Sequence, residues 1–385
     1  MDVYKQEFEV KYEYPVYFTS GVFDPENMVL KECLDKFADD VPRKVLVYID
    51  DGVAEAHPGL PEMVTAYLEQ FAGVFEIAKE PEEVPGGERT KNGWNVVQNI
   101  MASMGAGHLC RQSIVIAIGG GSVLDMVGFA ASLVHRGVRI IRIPTTVLAQ
   151  GDGGVGVKTG MDEHGQKNFV GTFAPPAAVI NDFEFLKTLD DKYWRGGLAE
   201  AFKVAITKDA DFFDYLCEHA DDLMNRDDEV IKEVVKRSAI LHLEHIRNGG
   251  DPFEFGTARP LDFGHWAAHR LEIMSNYRIA HGQAVALGIA IDSFYAARKG
   301  MISEDDLERI VDAFLASGLP VWDKLMENRD GEKELSIVRG LEEFREHLGG
   351  KLTITLPDGI GSKVEVHEMD VGVIVEAVDY LGSRQ

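Results

Sequence analysis

An uninterrupted apolar strand that runs into three glycines and then into a helix is the feature that most restricts the fold of this 385-residue chain. The segment reads SIVIAIGGGSVLD and is followed by the helical pattern MVGFAASLVHRG. A continuously apolar strand is typical of the centre of a parallel sheet that is covered on both faces. Glycines at this junction let backbone amides close on an anion at the helix N-terminus, although GGGS also forms plain tight turns. The segment lacks the GxGxxG pattern, but its position favours a phosphate site.

Strand and helix patterns alternate up to about residue 185, and helical patterns prevail beyond it. We therefore predict an α/β N-terminal domain over residues 1–185 and a mainly α-helical C-terminal domain over residues 186–385. Residues 1–18 alternate like a strand, and the glycine-rich residues 150–173 are expected to form a loop around a ligand. The Pro-Asp-Gly turn within residues 348–366 predicts a late hairpin.

Acidic residues outnumber basic residues by 64 to 39, which gives a formal charge of −25. A chain of this charge is repelled by nucleic acids and by anionic membrane surfaces, so we expect neither as a partner. A phosphorylated ligand would need a local cluster of lysine and arginine. The N-terminus lacks the regions of a signal peptide, and the three cysteines have no disulfide or metal spacing, so we expect a cytoplasmic protein.

Three histidines lie within one short segment, LDFGHWAAHRLEIMSNYRIAHG. His265 and His269 stand four residues apart and would share a helix face, whereas His281 opens the next helical pattern. Imidazoles are common metal ligands at neutral pH, and a carboxylate is an accepted third ligand. Glu200 in GLAEAFK is the best candidate for that carboxylate, although a salt bridge with a basic neighbour such as Lys203 explains it equally well.

Basic residues embedded in glycine-rich or apolar segments supply the local positive charge that a phosphate would need. Lys203 lies three residues after Glu200, so the pair could present an ammonium to an anion beside a metal-bound carboxylate. Arg136, Lys158 and Lys167 complete the predicted cationic set. Each of them alone could be an ordinary solvated charge.

Several long motifs, in the same order, resemble those of the dehydroquinate synthase-like sugar-phosphate cyclases. They are GGGSVLD, RGVRIIRIPTT, GDGGVGVKTG with GQKNFVGTF, FLKTL, GLAEAFK, and GHWAAH followed by HGQAVALG. The likeness extends over about residues 44–300. It implies NAD in the N-terminal domain, zinc or in its place cobalt in the helical domain, a small sugar phosphate between the two domains, and a homodimer.

The resemblance also assigns roles to individual positions. It implies that Glu200, His265 and His281 are the metal ligands. It implies that the NAD contacts come from the following residues: Asp50, Glu88, Lys91, Gly121, Ser122, Val123, Asp125, Thr145, Thr146, Lys158, Lys167, Phe185 and Thr188. The implied catalytic or substrate-binding residues are Asp152, Lys158, Asn168, Lys203 and His269, with Arg136 able to reach a neighbouring subunit's site.

The substrate prediction depends on local departures from the dehydroquinate synthase pattern. Asp262 stands where that enzyme has a substrate-binding asparagine, Arg259 is offset by one residue, and His242 replaces a pocket lysine. A carboxylate placed beside a carboxylate-binding site is repulsive, by about 4 kcal/mol for unit charges roughly 4 Å apart at an intermediate dielectric. We therefore expect Asp262 and His242 to face a substrate without a carboxylate.

The resulting hypothesis is a cyclase that eliminates phosphate from sedoheptulose 7-phosphate through transient oxidation by NAD, β-elimination, reduction and intramolecular aldol closure. His269 favours a 2-epi-valiolone synthase over a 2-epi-5-epi-valiolone synthase, because the latter enzymes often carry proline at that position. The alternatives are a 3-dehydroquinate synthase, a metal-dependent polyol dehydrogenase, and an inactive NAD-binding protein.

Overall fold

The computed structural model describes residues 1–164, 166–249, 253, 262–330, 334–347 and 350–384. The strands within these residues are β1 (Val16–Thr19), β2 (Arg43–Asp50), β3 (Phe75–Ile77), β4 (Glu82–Val84), β5 (Ile114–Gly119), β6 (Arg139–Pro144), β7 (Lys158–Glu163), β8 (Gln166–Phe173), β9 (Ala178–Asp182), β10 (Arg329–Asp330), β11 (Glu334–Leu335), β12 (Ile354–Pro357) and β13 (Lys363–Val366).

The α-helices are α1 (Val29–Asp35), α2 (Asp51–Ala56), α3 (Leu60–Glu69), α4 (Asn95–Ala106), α5 (Gly121–Leu133), α6 (Val147–Gly151), α7 (Asp191–Lys208), α8 (Ala210–Glu218), α9 (Ala220–Met224), α10 (Asp228–Asn248), α11 (His265–Met274), α12 (His281–Arg298), α13 (Glu304–Ala316), α14 (Arg339–His347) and α15 (Val371–Gly382). Short 3₁₀ helices include Glu88–Lys91, Val134–Arg136 and Phe183–Thr188.

The N-terminal half is built on a seven-stranded sheet in the order β1-β9-β6-β5-β2-β3, with β4 also paired to β2. Every strand pair in this sheet is parallel. Alternate residues of β5 enter different cores: Ile114 and Ile116 pack on one face of the sheet, and Val115 and Ala117 pack on the other. Both faces are covered, which explains why β5 is apolar throughout and confirms the predicted parallel α/β architecture.

The C-terminal half is a helical layer around α12, which has no exposed polar face over most of its length because neighbouring helices enclose it. Its residues from Ala284 to Ala297 are buried and pack among those of α7, α11, α13 and α15. The predicted late hairpin is confirmed as β12 and β13, and α15 follows it.

Two expectations about the N-terminal half need correction. Residues 1–15 form no strand: residues 1–13 are exposed, so the alternating apolar side chains gain no burial that would hold them in a strand. The glycine-rich stretch 150–173 is mostly an antiparallel hairpin of β7 and β8, in which backbone hydrogen bonds pair glycines across the strands. The expected boundary at residue 185 falls inside the 3₁₀ helix Phe183–Thr188 and stays a prediction. Within the described residues, no helix is long and apolar enough to cross a membrane.

Candidate active site

A cavity of about 770 Å³ lies between the two halves of the chain. The N-terminal half contributes the carboxyl ends of β2, β5 and β6, which is where open parallel sheets bind ligands. The C-terminal half contributes α7 and the first residues of α12. The residues predicted from sequence that line this cavity are Asp50, Glu88, Lys91, Gly121, Ser122, Asp125, Thr145, Thr146, Asp152, Lys167, Asn168, Phe185, Thr188, Glu200, Lys203, His265, His269 and His281.

Asp50 ends β2 and lies within a tight frame of backbone. Its carboxylate accepts a hydrogen bond from the Gly52 amide at 3.0 Å. A methyl group added to Gly86 would lie 2.4 Å from Asp50 Oδ1, and one added to Gly119 would lie 2.9 Å from Asp50 Cβ. Burial raises the pKa of Asp50, and hydrogen bonds from backbone amides oppose the change. A carboxylate at this strand end is suited to bind a ribose hydroxyl.

The glycine run places the N-terminus of α5 at the cavity. Gly121 begins the helix directly after β5, and the partly exposed amide end can hold an anion. Ser122 lines the cavity, whereas Val123 is fully buried in the core beneath it. The buried hydroxyl of Thr145 has no hydrogen-bond partner among the described residues, and Thr146 caps α6. The local geometry therefore offers amides and hydroxyls to a phosphate.

A chain of alternating charges crosses the cavity floor. Lys91 Nζ lies 2.8 Å from Asp125 Oδ2 and also contacts Asn168 Oδ1. Lys167 Nζ lies 3.2 Å from Glu88 Oε1. Burial works against the charge on Lys91, but the facing carboxylates outweigh it and raise the pKa of the ammonium. The predicted nucleotide-binding residues are thus held together by partly buried ion pairs.

Glu200, His265 and His281 converge from three helices, and their ligand atoms all lie within 4.8 Å of one another. Glu200 Oε1 is 3.4 Å from His281 Nε2 and 3.8 Å from His265 Nε2. Burial would raise the pKa of Glu200, but Lys203 outweighs it and brings the pKa to about 2. An ionised carboxylate and two imidazoles that open on a cavity are the residue types that catalytic zinc sites use as ligands.

The far nitrogens of both imidazoles are held by acceptors. His265 Nδ1 lies 3.1 Å from the carbonyl oxygen of Phe263, and His281 Nδ1 lies 3.3 Å from Glu272 Oε2. Burial lowers the pKa of His265. Burial also opposes protonation of His281, but Glu272 and Glu200 outweigh it and raise that pKa to about 9. Both rings consequently direct Nε2 toward Glu200.

Asp292 on α12 fixes the start of α11, where His265 is the first residue. Its carboxylate accepts hydrogen bonds from the Gly264 amide at 3.0 Å and the Trp266 indole at 2.8 Å. Gly264 has φ +79°, and a methyl group there would lie 2.6 Å from the Ile289 amide nitrogen. Burial raises the pKa of Asp292 to about 7 against these two hydrogen bonds. The position of His265 therefore depends on contacts beneath the site.

Asp152 contacts two basic side chains, Lys203 beside the cluster of Glu200, His265 and His281, and His242 beyond it. Its Oδ2 lies 3.3 Å from Lys203 Nζ and 3.6 Å from His242 Nδ1. Lys203, only 2% exposed, also contacts Glu200 directly, so the alternative of a salt bridge is realised within the same cluster. Burial tends to raise the pKa of Asp152, but Lys203 and His242 hold it well below its usual range. The arrangement keeps a buried ammonium between two carboxylates.

His269 completes the imidazole cluster from one turn further along α11. Its ring centroid is 5.6 Å from that of His265 and 6.3 Å from that of His281. Burial, together with the neighbouring His265, lowers its pKa well below the usual value. His269 is thus a neutral imidazole at neutral pH, available to a ligand as donor or acceptor.

The remaining predicted site residues lie outside the cavity lining among the described residues. Lys158 begins β7 with its side chain exposed, and Arg136 is exposed at φ +66° after α5. His242 reaches the site only through Asp152. Asp262 precedes α11, and its carbonyl oxygen accepts a hydrogen bond from the His265 amide at 3.0 Å. Arg259 lies outside the described residues.

Sequence reasoning missed Glu272, which is only 1% exposed and lines the cavity. Its two oxygens contact His281 and Lys167, and these charges overcome the effect of burial to lower the pKa of the carboxyl group. The available signal was its spacing: it lies seven residues after His265 and three after His269, which is one helix face.

Comparison with known proteins assigns the fold and site to a family. The model for the 3-dehydroquinate synthase N-terminal domain matches residues 82–196, and the model for the C-terminal domain matches residues 197–336. The chain therefore belongs to the 3-dehydroquinate synthase family of sugar-phosphate cyclases.

Two sequence relatives are equally similar to the chain. The 2-epi-valiolone synthase of Actinosynnema mirum is 35% identical over 323 residues, which cover 84% of this chain and 81% of the relative. The 3-dehydroquinate synthase of Nitrosospira multiformis is 35% identical over 317 residues, covering 81% and 84% respectively. A solved structure of the 2-epi-5-epi-valiolone synthase ValA from Streptomyces hygroscopicus subsp. jinggangensis, with NAD⁺ and Zn²⁺ bound, has a TM-score of 0.86 and 28% identity and covers 99% of this chain and 100% of its own. All three proteins support the same family, but they are named as synthases of three different products, so they do not identify the substrate of this chain.

Proposed function

We propose that the protein is an NAD- and zinc-dependent cyclase that releases phosphate from sedoheptulose 7-phosphate and forms a C7 cyclitol, of the 2-epi-valiolone type. The observation that carries the proposal is the convergence of Glu200, His265 and His281 on the same cavity as the N-terminus of α5. A metal-type ligand set and a phosphate-type helix terminus, facing each other, suit a reaction that oxidises a sugar phosphate.

The residues present fit both cofactors. Glu200, His265 and His281 would hold the metal, because they supply one carboxylate and two imidazoles whose ligand atoms lie within 4.8 Å of one another. Asp50 and the turn before α5 would hold NAD, because a carboxylate at the end of β2 and the N-terminus of α5 open on the same cavity. When bound, NAD would supply a reversible hydride acceptor and the metal would polarise the hydroxyl that is oxidised.

The chain's own side chains then account for binding and charge. Lys203 would hold an anionic oxygen of the substrate, since its ammonium is kept charged between Asp152 and Glu200. His269, neutral in the buried cluster, would donate a hydrogen bond to the leaving phosphate. Exclusion of bulk water from the cavity strengthens both interactions. Lys158, Asn168 and Arg136 remain predicted contacts to the substrate.

Asp262 and His242 support a substrate without a carboxylate. His242 Nδ1 lies 3.6 Å from Asp152 Oδ2, so an imidazole takes the place of the lysine ammonium in the dehydroquinate synthase pattern. Asp262 adds negative charge close to His265. Both features weaken the attraction that a carboxylate-bearing sugar phosphate would feel in the pocket.

The test is phosphate release by the zinc-loaded protein with NAD, measured in parallel with sedoheptulose 7-phosphate and 3-deoxy-arabino-heptulosonate 7-phosphate. We expect turnover of the first sugar and no net accumulation of NADH, because the hydride returns to the product. Turnover of the second sugar alone would identify a 3-dehydroquinate synthase. Stoichiometric NADH without phosphate release would identify a polyol dehydrogenase.

We further propose that the enzyme acts as a homodimer in which Arg136 serves the neighbouring site. Arg136 is exposed and outside the cavity lining among the described residues of its own chain, which supports a role in another copy. The cytoplasmic location remains a prediction.

A further inference from the structure

We propose that Glu272 is a positioning residue that holds His281 ready for the metal and links the metal site to the nucleotide-binding half. This inference deepens the proposed function and rests on it for the presence of the metal. It starts from a buried carboxylate whose two oxygens have separate partners: Oε2 lies 3.3 Å from His281 Nδ1, and Oε1 lies 2.7 Å from Lys167 Nζ.

The contact with His281 fixes the orientation of the ring. A carboxylate at Nδ1 holds the ring so that Nε2 faces Glu200 Oε1 at 3.4 Å and is the nitrogen that a metal would take. His265 receives the equivalent support from the Phe263 carbonyl oxygen, which no substitution of a side chain removes directly. Of these two hydrogen-bond acceptors, Glu272 is therefore the one that a substitution can remove.

The contact with Lys167 crosses from one half of the chain to the other. Lys167 belongs to β8, whereas Glu272 belongs to α11. Lys167 Nζ also lies 3.2 Å from Glu88 Oε1, on the 3₁₀ helix that lines the predicted nucleotide site. Movement of Lys167 toward Glu88 or toward Glu272 changes the charge that His281 faces, so metal binding and NAD binding are coupled through this lysine.

The matched variants are Glu272→Gln, which removes the charge with little change of shape, and Glu343→Gln as the control. Glu343 on α14 lies 3.0 Å from Arg270, which is on the same helix as Glu272. Glu343 is exposed and, among the described residues, is not part of the cavity lining. Zinc affinity of the metal-stripped proteins is measured by competition with a chromophoric chelator. NAD affinity is measured by titration calorimetry with and without zinc.

We expect Glu272→Gln to weaken zinc binding by about 10- to 100-fold, and Glu343→Gln to leave it within about twofold. In the wild type, zinc should change the NAD dissociation constant by about fivefold or more, and NAD should change the zinc dissociation constant by the same factor. In Glu272→Gln this factor should fall toward one. Lys167→Met should abolish the coupling while retaining more zinc affinity than Glu272→Gln, because His281 keeps its acceptor.

Unchanged zinc affinity in a folded Glu272→Gln protein would overturn the inference even if the enzyme turns over its substrate. If Glu272→Gln lowers the melting temperature, Glu272→Asp serves as the second variant, because it keeps the charge and should recover part of the zinc affinity. If the zinc affinity of the protein depends on Glu272 as described, but the wild type releases phosphate from neither sugar, the inference would stand and the proposed function would be refuted.

Discussion

Gly282 on α12 lies directly against Gly196 on α7: a methyl group added to Gly282 would be 1.9 Å from the carbonyl oxygen of Gly196. Gly282 follows His281, and Gly196 lies one helical turn before Glu200. Two metal-type ligands are therefore brought together because two helices touch backbone to backbone at a place where neither has a side chain.

Gly282→Ala should separate these helices and loosen the metal site. We expect a loss of about 1–3 kcal/mol in the free energy of unfolding and a weaker zinc affinity, because the methyl group overpacks a backbone contact. Urea denaturation and chelator competition measure the two effects. Gly105→Ala on α4 is the control, since nothing lies within 4 Å of the added methyl group and a helical alanine is favoured. Equal behaviour of the two variants would refute the explanation.

Glu200→Gln should remove the metal while leaving the fold intact. The amide cannot replace the anionic ligand, so zinc affinity should fall on the order of 100-fold or more, beyond the loss expected for a residue that only supports a ligand. Zinc content after dialysis against a weak chelator gives the measurement. Retention of stoichiometric zinc would mean that Glu200 is not a ligand.

Lys203→Met should destabilise the metal-free protein more than the zinc-loaded protein. Without the ammonium, Asp152 and Glu200 are left as buried carboxylates, and breaking such a cluster costs about 3–5 kcal/mol. Zinc neutralises Glu200 and should restore part of this loss. Urea denaturation with zinc or with EDTA separates the two states, and Lys187→Met is the control because its contact with Glu184 is at the surface. A metal-free Lys203→Met protein as stable as the wild type would contradict the cluster.

Asp292→Asn should change how stability depends on pH. The folded-state pKa of about 7 lies above the ordinary value of 3.8, so the native wild type holds an extra proton between these values. Its free energy of unfolding must therefore fall as pH rises through this range. The variant lacks this titration, and one of its hydrogen bonds is lost at a cost of about 1–3 kcal/mol. The stability difference between wild type and variant should narrow from pH 4 to pH 7; a difference that stays constant would show that the carboxylate is ionised throughout.

Mixing two inactive variants tests whether Arg136 acts across subunits. Arg136→Ala and Lys203→Met proteins, unfolded and refolded together in equal amounts, would form hybrid dimers with one intact site if Arg136 serves its neighbour. Random pairing then restores about a quarter of wild-type phosphate release. If Arg136 serves its own chain, every site of the hybrid remains defective and no activity returns.

The sequence predicted those parts of the site that depend on local pattern. His281 opens α12 and Lys203 contacts Glu200, because helical spacing and a break between helices are encoded over a few residues. The apolar run of β5 likewise determined a central parallel strand. Residue types alone made Glu200 a candidate ligand beside three histidines. The resemblance selected His265 and His281 among them, since no local pattern joins Glu200 to histidines more than sixty residues away.

The rest depended on tertiary contacts. Alternation in residues 1–15 predicts which side chains would share a face, but it carries no information about whether another part of the protein covers that face. Glu272 reads as one acid in an ordinary amphipathic helix until its burial against His281 and Lys167 is known. The contact between His242 and Asp152 was also beyond the reach of local pattern, because it joins α10 to a loop in the N-terminal half of the chain.

The α7 helix has a consequence for any attempt to divide this enzyme. The boundary between the two family models, at residues 196 and 197, falls inside α7, which runs without interruption from Asp191 to Lys208 and is buried over most of its length. A chain cut there would leave each fragment with part of one helix and expose apolar surface on both. The two matched segments thus share one buried helix, and a working split or permuted enzyme would need its new ends elsewhere.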